Sequence, residues 1–193
     1  MPARTPPVEP KQQRAIETRR RLLDAAVDEL TTSGYVRLTT SAVAHRAGVS
    51  RGAQQHYFPH KEVLLGEAVR HLAERQIEEL RAQIAAAPAG RARAEVALDT
   101  IFEQYSGSLF AAMVELALAA RTDAGLAPIV AEQERLLSQA VHEIATDAFG
   151  AEHAATAISA ARGLAMLRLF GHPDDAVARQ WRQTRADVLR LLS

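Results

Sequence analysis

The sequence contains no cysteine among its 193 residues. This absence excludes disulfides, thiolate metal sites and cysteine nucleophiles, and it favours a cytoplasmic location. Met1–Pro10 does not combine a basic stretch with an apolar run, so no signal peptide is predicted. The longest apolar segment, between Ala154 and Phe170, is interrupted by polar and charged residues, which argues against a membrane span.

The formal net charge is zero, but the charge is unevenly distributed along the chain. Met1–Lys61 carries ten Lys or Arg against five Asp or Glu, a net charge of +5, so the remainder carries −5. A basic segment beside an acidic body indicates a polyanionic partner, because basic side chains that neutralise phosphates release counterions. From charge alone, an ordinary solvated surface remains an equally good explanation.

Apolar residues recur at helical spacing in almost every segment after Pro10, and the alternating pattern of strands is missing. The pattern predicts an all-α protein of about nine helices. The predicted ranges are 11–33, 41–47, 51–58, a long helix from Lys61 towards Pro88, and helices near 91–105, 108–121, 126–149, 152–170 and 174–192. We expect a disordered arm over 1–10, one domain over 11–60 and a second domain over 61–193.

Local signals place the ends of the first helices. Gly34 is predicted to end the first helix, and Pro59 to end the third. Thr40 and Ser50 are the predicted N-caps of the second and third helices. Gly48, between them, is expected to adopt a left-handed conformation.

Thr40–Phe58 therefore contains two short helices separated by Gly48-Val49-Ser50. A turn of three to four residues with a glycine lets the second helix cross the first and enter the major groove of DNA. At the start of the second helix, free backbone N–H groups favour a phosphate oxygen, and Gly52 allows a close approach of the backbone. The segment thus predicts a helix-turn-helix.

These residues resemble the tetracycline-repressor (TetR) family of bacterial regulators. The matching segments, within about Arg14–Leu72, are TRRRLLDAA from Thr18, Gly34-Tyr35, Thr39-Thr40, Ala44, Ala47–Gly52 and His56–Glu62. The resemblance implies an N-terminal three-helix DNA-binding domain, a variable helical domain for effector binding and dimerisation, and a homodimer. The residues that fall where such proteins touch DNA are Thr40, Ser50, Arg51, Gly52, Gln55, His56, Tyr57 and Lys61.

The sequence departs from the family at Gln54-Gln55, where Leu-Tyr is common. A glutamine can make two hydrogen bonds to adenine in the major groove. We expect Gln55 to read a base and Gln54 to satisfy a local backbone group.

Four neighbouring features have both a structural and a DNA-binding interpretation. Phe58 is predicted to lie in the core, and Tyr57 to pack its ring while its hydroxyl contacts phosphate. Lys61 is either a phosphate contact or a solvated surface lysine. Arg19–Arg21 is predicted to form a solvated helix face, from which some side chains touch the DNA backbone.

The last two helices have the pattern of a subunit interface. Apolar residues recur at alternating spacings of four and three in the last helix, and small residues in the helix before it allow close packing. The predicted interface residues are Ala157, Ala161, Leu164, Val177, Trp181 and Val188. A two-fold dimer would present its recognition helices about 34–36 Å apart to a palindromic operator. An internal hairpin of a monomer is the alternative.

The helices before this interface contain the candidate effector pocket. Its predicted lining residues are Phe102, Tyr105, Phe110, Met113, Glu115, Leu116 and Arg121. Plain core packing explains the same aromatic and methionine residues. A ligand changes DNA affinity only by favouring one arrangement of the protein, and we expect it to move the long helix that begins at Lys61.

The sequence thus predicts a sequence-specific transcriptional regulator that binds double-stranded operator DNA and, as a repressor, is released by a small-molecule effector. A transcriptional activator and an architectural DNA-binding protein are the alternatives. An enzyme is not indicated, because the candidate groups are weak: Glu67 with His71, and His142 with Glu143 and Asp147. No catalytic residue, metal ligand, cofactor or membrane partner is assigned.

Overall fold

The computed structural model describes the chain from residue 10 to residue 191. This range contains nine helices and no strand, which confirms the predicted all-α fold. The helices are α1 (Pro10–Arg37), α2 (Thr40–Ala47), α3 (Arg51–Tyr57), α4 (Lys61–Ala86), α5 (Arg91–Gln104), α6 (Ser108–Ala120), α7 (Ala127–Phe149), α8 (Ala151–Leu169) and α9 (Asp174–Leu191). Apart from Pro10, the predicted arm lies outside the described residues. Within the described range, none of the helices combines the length and apolarity needed to cross a membrane.

The chain divides into two compact units, Met1–His71 and Leu72–Ser193. The division falls within α4, whereas the sequence predicts a domain boundary at the start of that helix. The first unit includes α1, α2 and α3. The second unit includes α5 to α9.

Gly34 interrupts α1, as the sequence predicts. Its φ of 76° and ψ of 168° are not helical, and a positive φ favours glycine because other residues carry a Cβ. One further turn nevertheless follows, because the N–H of Leu38 lies 3.2 Å from the carbonyl oxygens of Gly34 and Tyr35. The range Pro10–Arg37 therefore joins two helical segments across a kink, and the first segment ends at Gly34 as predicted.

The N-cap of α2 is Thr39, so the prediction of Thr40 was wrong by one residue. Thr39 has an extended backbone, and its Oγ1 accepts a hydrogen bond from the N–H of Ala42 at 3.1 Å. Thr40 already lies in the helix, where an N-cap conformation is not available. Ser50 is confirmed as the cap of α3, since its Oγ accepts from the N–H of Ala53 at 3.2 Å.

The core of the first unit joins its helices through fully buried apolar side chains. Leu22 and Leu30 of α1, Val43 of α2 and Leu64 of α4 are each at most 1% exposed. Phe58 is also 1% exposed, which confirms its predicted place in the core. Each such side chain contributes about 1.5–3 kcal/mol when it is buried on folding.

In the second unit, α5, α7, α8 and α9 share one hydrophobic core. Phe102 of α5 stacks on Trp181 of α9, with ring centroids 4.4 Å apart and planes 7° from parallel. The indole N–H of Trp181 donates to Oδ1 of Asp99 at 3.2 Å, so this large side chain is buried with its polar atom satisfied.

This core contains all six residues that the sequence assigned to a subunit interface. Ala157, Ala161, Leu164, Val177, Trp181 and Val188 are between 0 and 9% exposed in the single chain. Their side chains have almost no surface left for a second copy. The assignment is therefore corrected: the apolar seam is covered by helices of the same chain, and helical spacing alone does not identify which chain covers a seam.

Candidate functional site

The turn between α2 and α3 has the predicted conformation. Gly48 has a φ of 61° and a ψ of 37°, in the left-handed region. Its N–H donates to the carbonyl of His45 at 3.1 Å, and the N–H of Val49 donates to the carbonyl of Ala44 at 3.0 Å. These bonds end α2 and direct the chain into α3.

Arg21 of α1 also holds this turn. Its guanidinium donates to the carbonyl of Ala47 and, at 3.3 Å, to that of Gly48. A positive charge at the end of α2 satisfies carbonyls that have no helical partner. A Cβ at position 48 would lie 2.9 Å from Nη2 of Arg21, the flexible end of that side chain, so the positive φ is the main reason for glycine here.

The other arginines of the predicted solvated face also have partners within the first unit. Arg19 forms an ion pair with Glu67, and its guanidinium lies 5.6 Å from the centroid of the Phe58 ring. Arg20 pairs with Asp24 at 3.3 Å. All three arginines are exposed, as expected of a solvated face, and each also binds a group of the protein.

Gln54 occupies the buried side of α3, which confirms its structural role. Its side chain is 3% exposed, and its Nε2 donates to the carbonyl oxygen of Phe58 at 2.6 Å. This bond supplies a donor to a carbonyl that has no helical partner, because α3 ends at Tyr57 and Pro59 prevents its continuation. The first of the two adjacent glutamines thus stabilises the end of the helix.

The opposite side of α3 is exposed and contains most of the predicted DNA contacts. Arg51, Gly52, Gln55 and His56 are exposed, and a Cβ added at Gly52 would meet nothing within 4 Å. Tyr57 is half-buried, and its ring packs edge-to-face against His56 at 5.2 Å. The Ser50 hydroxyl, although exposed, is already engaged in the cap.

Besides Ser50, the predicted DNA contacts Thr40 and Lys61 lie outside α3. Thr40 is half-buried at the first position of α2. The Nζ of Lys61 donates to the carbonyl of Tyr35 at 3.1 Å and lies 4.0 Å from the centroid of the Tyr35 ring. Lys61 therefore fastens the start of α4 to the end of α1, a role that the sequence did not indicate.

A cavity of about 240 Å³ lies in the second unit. Tyr105, Phe110 and Met113 line it, as the sequence predicts. The other lining residues are Gln76, Gln104, Leu109, Val114, Ala117, Val130, Gln133, Glu134, Leu137, Arg162 and Met166. The cavity is mainly apolar and is bordered by residues of α4 to α8.

Four residues predicted for the pocket do not line this cavity. Phe102 packs against Trp181 in the core, and Leu116 is fully buried. Glu115 is half-buried, and Arg121 is exposed at the end of α6. The assignment of these four residues to the pocket is corrected. Phe102 faces the core, and only part of the surface of α6 faces the cavity.

The cavity has a polar group that sequence analysis missed. Arg162 donates to Oε1 of Glu134 at 2.8 Å, to the Tyr105 hydroxyl at 3.1 Å and to the Ser138 hydroxyl at 3.3 Å. Burial raises the pKa of the Tyr105 hydroxyl above its ordinary value, although the charge of Arg162 acts against this shift. The Tyr105 hydroxyl is therefore neutral at physiological pH.

The sequence contains a signal of a polar site in this cavity at Gln133. It falls on the buried side of α7, three residues after Val130 and four before Leu137, where an apolar residue is expected. A polar residue at an apolar position indicates either a buried hydrogen bond or a ligand. Arg162, within the alanine-rich α8, is a second signal of this kind.

The weak catalytic pairs considered from the sequence make other contacts. Glu67 pairs with Arg19, and Nε2 of His71 lies 3.2 Å from Oδ1 of Asp24. In the part of the chain that the structure describes, no group of three or more His, Asp or Glu side chains has the arrangement of a metal site. Glu67 and His71 thus serve as links between α4 and α1.

Comparison with known proteins shows that part of the first unit matches a known protein family. Residues 22–68 match the model of the family described as "Bacterial regulatory proteins, tetR family". An HTH-type transcriptional regulator of Mycobacterium tuberculosis is 34% identical over 142 residues, which cover 74% of this chain and 73% of the relative. Residues 22–68, matched by the family model, contain α2, the turn and α3.

Solved structures have the same fold. A TetR transcription regulator from Haloarcula marismortui has a TM-score of 0.71 at 17% identity, covering 91% of this chain and 98% of the other. The multidrug binding protein EbrR, solved in complex with ethidium, has a TM-score of 0.64 at 22% identity, covering 91% and 99%. With its exposed helix α3, its matching family model and its regulator relative, this chain belongs to the tetR family of bacterial regulatory proteins and is a helix-turn-helix DNA-binding transcriptional regulator.

Proposed function

We propose that this protein is a cytoplasmic repressor that binds a palindromic operator as a homodimer and is released by a small molecule bound in its cavity. The observation that carries the proposal is the two-sided environment of α3. Gln54 is buried at 3% exposure, while Arg51, Gln55 and His56 are exposed. An exposed helix face with a cation and amide side chains is suited to base edges and phosphates in the major groove.

Within this proposal, the exposed residues of α3 have different roles. Gln55 reads a base through its amide, because glutamine offers the donor and acceptor that adenine matches. Arg51 and His56 contact base edges or phosphates, and the open surface at Gly52 lets the backbone approach the duplex. Lys61 fixes Tyr35 and α4 in place and contributes to DNA binding mainly through that positioning.

The effector acts through α4. This helix supplies Lys61 to the first unit and Gln76 to the lining of the cavity in the second. A ligand that favours one position of Gln76 therefore biases the whole helix, and through it the first unit. The ethidium complex of EbrR supports the proposal, since a protein of this fold binds a small molecule.

The subunit interface of the proposed homodimer lies on the exposed side of α8. Thr156, Ala160, Gly163, Leu167 and Phe170 follow one another at alternating spacings of four and three. Phe170 is 75% exposed, and a Cβ at Gly163 would meet nothing within 4 Å. A second copy packed along this seam would cover Phe170 and use the small residues for close approach.

Selection of bound duplexes from a random DNA pool tests the proposal. We expect the full chain to select a palindromic site and to prefer it over unrelated DNA by roughly 10³-fold or more. Gln55→Ala should relax the preference at one base position of each half-site, at a cost of about 1–3 kcal/mol. Gln139→Ala, which changes an exposed glutamine of α7, is the matched control and should leave the selected sequence unchanged.

Regulation is tested by placing the selected site in a promoter that controls a reporter gene. We expect lower expression with the protein present, and restored expression with a metabolite that releases the site in a binding assay. Increased expression on binding would contradict repression. Selection of unrelated sequences, with no common site, would contradict the whole proposal.

A further inference from the structure

Gln133 is a buried amide without a hydrogen-bonding partner in the described part of the chain. Gln133 is 7% exposed and lines the cavity. Its side chain makes no hydrogen bond to another described residue. The amide atoms of Gln133 are not among the fully buried polar atoms that lack a partner, so they reach the open space of the cavity, where water or a ligand satisfies them. The side chain thus offers a donor and an acceptor inside an apolar cavity.

The hydroxyl of Tyr105 provides a second incomplete group on the same cavity. Tyr105 is 2% exposed, and its oxygen accepts a hydrogen bond from Arg162 at 3.1 Å. No acceptor for its own O–H is present among the described residues. The hydroxyl therefore has a proton left to donate, and burial keeps that proton bound by raising the pKa of the group.

The charges of the cavity are already balanced. Arg162 is its cation and Glu134 is its carboxylate, and the two are joined at 2.8 Å. An added anion would compete with Glu134 for Nη1 of the guanidinium, whereas Nε of Arg162 is buried without a partner among the described residues. An added cation would compete with Arg162 for the carboxylate. Bringing an uncompensated charge into a mainly apolar cavity is costly, so the lining favours an uncharged ligand.

The apolar lining defines the rest of the ligand. The rings of Tyr105 and Phe110 meet edge-to-face with centroids 5.4 Å apart, and Met113 and Met166 supply adaptable apolar surface. Such surfaces suit a flat apolar or aromatic body. The volume of about 240 Å³ lies below the roughly 300–1,000 Å³ of sites for drug-sized ligands, so the ligand is small.

We infer that the effector is a small, uncharged molecule with an aromatic or similarly flat apolar body and a carboxamide-like group that pairs with Gln133 and Tyr105. A carboxamide supplies both a carbonyl acceptor for the Tyr105 hydroxyl and N–H donors for the Gln133 oxygen. This inference rests on the proposed function for its regulatory meaning, but the binding itself does not require DNA.

Three probes of nearly equal size test the inference by calorimetry on the full chain: benzamide, benzoate and benzamidine. They share one aromatic ring and differ in charge, being neutral, anionic and cationic. We expect benzamide to bind about tenfold or more tightly than either charged probe, a difference of one decade in Kd. Equal or tighter binding of a charged probe, or no binding by any of the three, would overturn the inference.

Two variants test the residues. Gln133→Leu removes the amide at similar volume, and Tyr105→Phe removes only the hydroxyl, so each should weaken benzamide binding by about tenfold. Gln139→Leu, an exposed change on the same helix as Gln133, should leave the affinity unchanged. If both cavity variants bind benzamide within about twofold of the unaltered chain, the proposed contacts are wrong.

The outcome is separable from that of the proposed function. If the chain selects an operator but binds benzamide no better than the charged probes, the ligand class is wrong and the regulator stands. If it selects no operator yet binds benzamide through Gln133 and Tyr105, the cavity assignment stands and the repressor proposal fails.

Discussion

Gln54 and Gln55 are adjacent and chemically identical, yet their environments are opposite. One amide is buried and bonded to the carbonyl of Phe58 at 2.6 Å, and the other faces outward from α3. The difference follows from the helical repeat of about 100° per residue, which places neighbours on different sides. At the scale of single residues, position on the helix decides whether a glutamine stabilises the fold or faces solvent.

Replacement of Gln54 by leucine tests the structural role. The variant keeps the side-chain volume but leaves the Phe58 carbonyl without its donor, so we expect a loss of about 1–3 kcal/mol in the free energy of unfolding. Gln55→Leu should change this free energy by less than about 0.5 kcal/mol, because the side chain is exposed. Urea unfolding of both variants gives the comparison. Equal stabilities would show that the Gln54 bond contributes nothing.

The helices α2 and α3 have only eight and seven residues. Isolated helices of this length are not stable in water, because nucleation is unfavourable and few bonds follow it. They persist here through their caps, through Arg21 at the end of α2 and through buried residues such as Val43. At the scale of elements, the recognition helix therefore depends on its packing against α2, which Arg21 of α1 binds at its C-terminal end.

The position of the α2 cap provides a paired test. Thr39→Ala removes the hydroxyl that accepts from Ala42, and we expect it to lower the free energy of unfolding by about 1 kcal/mol. Thr40→Ala leaves that cap intact and should have a smaller effect on stability. Thermal or urea unfolding distinguishes the two variants. A larger loss of stability for Thr40→Ala would show that Thr40, as the sequence predicts, is the N-cap.

Glu29 links α1 to α2 and gives the first unit a dependence on pH. Its Oε2 lies 2.7 Å from Nε of Arg46, and its carboxylate is mostly buried. A hydrogen bond from Ser33, with further help from Arg46, holds the pKa of Glu29 below its ordinary value of 4.5. Because the pKa is lower in the folded state than in the unfolded state, ionised Glu29 stabilises the folded protein fully at pH values above 4.5. This stabilisation is lost as the pH falls through the folded-state pKa.

Glu29→Gln should therefore be less stable than the unaltered chain near neutral pH, and the difference should shrink as the pH falls below about 4.5. Urea midpoints measured across the acid range provide the test. Glu17→Gln, an exposed change on the same helix, serves as the control for a general loss of charge. A constant difference at every pH would contradict the linkage.

The whole chain consists of two compact units that share α4. Three polar contacts connect α4 to α1 inside the first unit: Lys61 with Tyr35, Glu67 with Arg19, and His71 with Asp24. Farther along, Gln76 of the same helix lines the cavity. At the scale of the molecule, α4 is thus the helix that belongs to both units and supplies one residue to the wall of the cavity.

Phe170→Ser tests the proposed homodimer. The side chain is 75% exposed, so its loss should leave the fold intact while it weakens self-association by about tenfold or more, since buried aromatic anchors dominate many interfaces. Leu118→Ser, at 60% exposure on α6, is the matched control and should not change self-association. Sedimentation equilibrium measures both. Unchanged association in Phe170→Ser would place the interface elsewhere.

Local chemistry in the sequence was sufficient for the class of fold and for much of the recognition segment. Gly34, Gly48, Ser50 and Pro59 act on the backbone within a few residues, so their effects are readable without knowledge of distant contacts. The 3.6-residue repeat likewise marked the helices. The N-cap of α2 was missed by one residue because two adjacent threonines offer the same side chain.

The tertiary structure alone decided which groups meet across the chain. Trp181 is covered by Phe102 of its own chain, Lys61 is bound to Tyr35, and Gln133 lies in the cavity wall. Helical spacing shows that a face is apolar, but it carries no information about the surface that covers it. That information depends on how residues tens of positions apart pack together, and only the folded chain contains it.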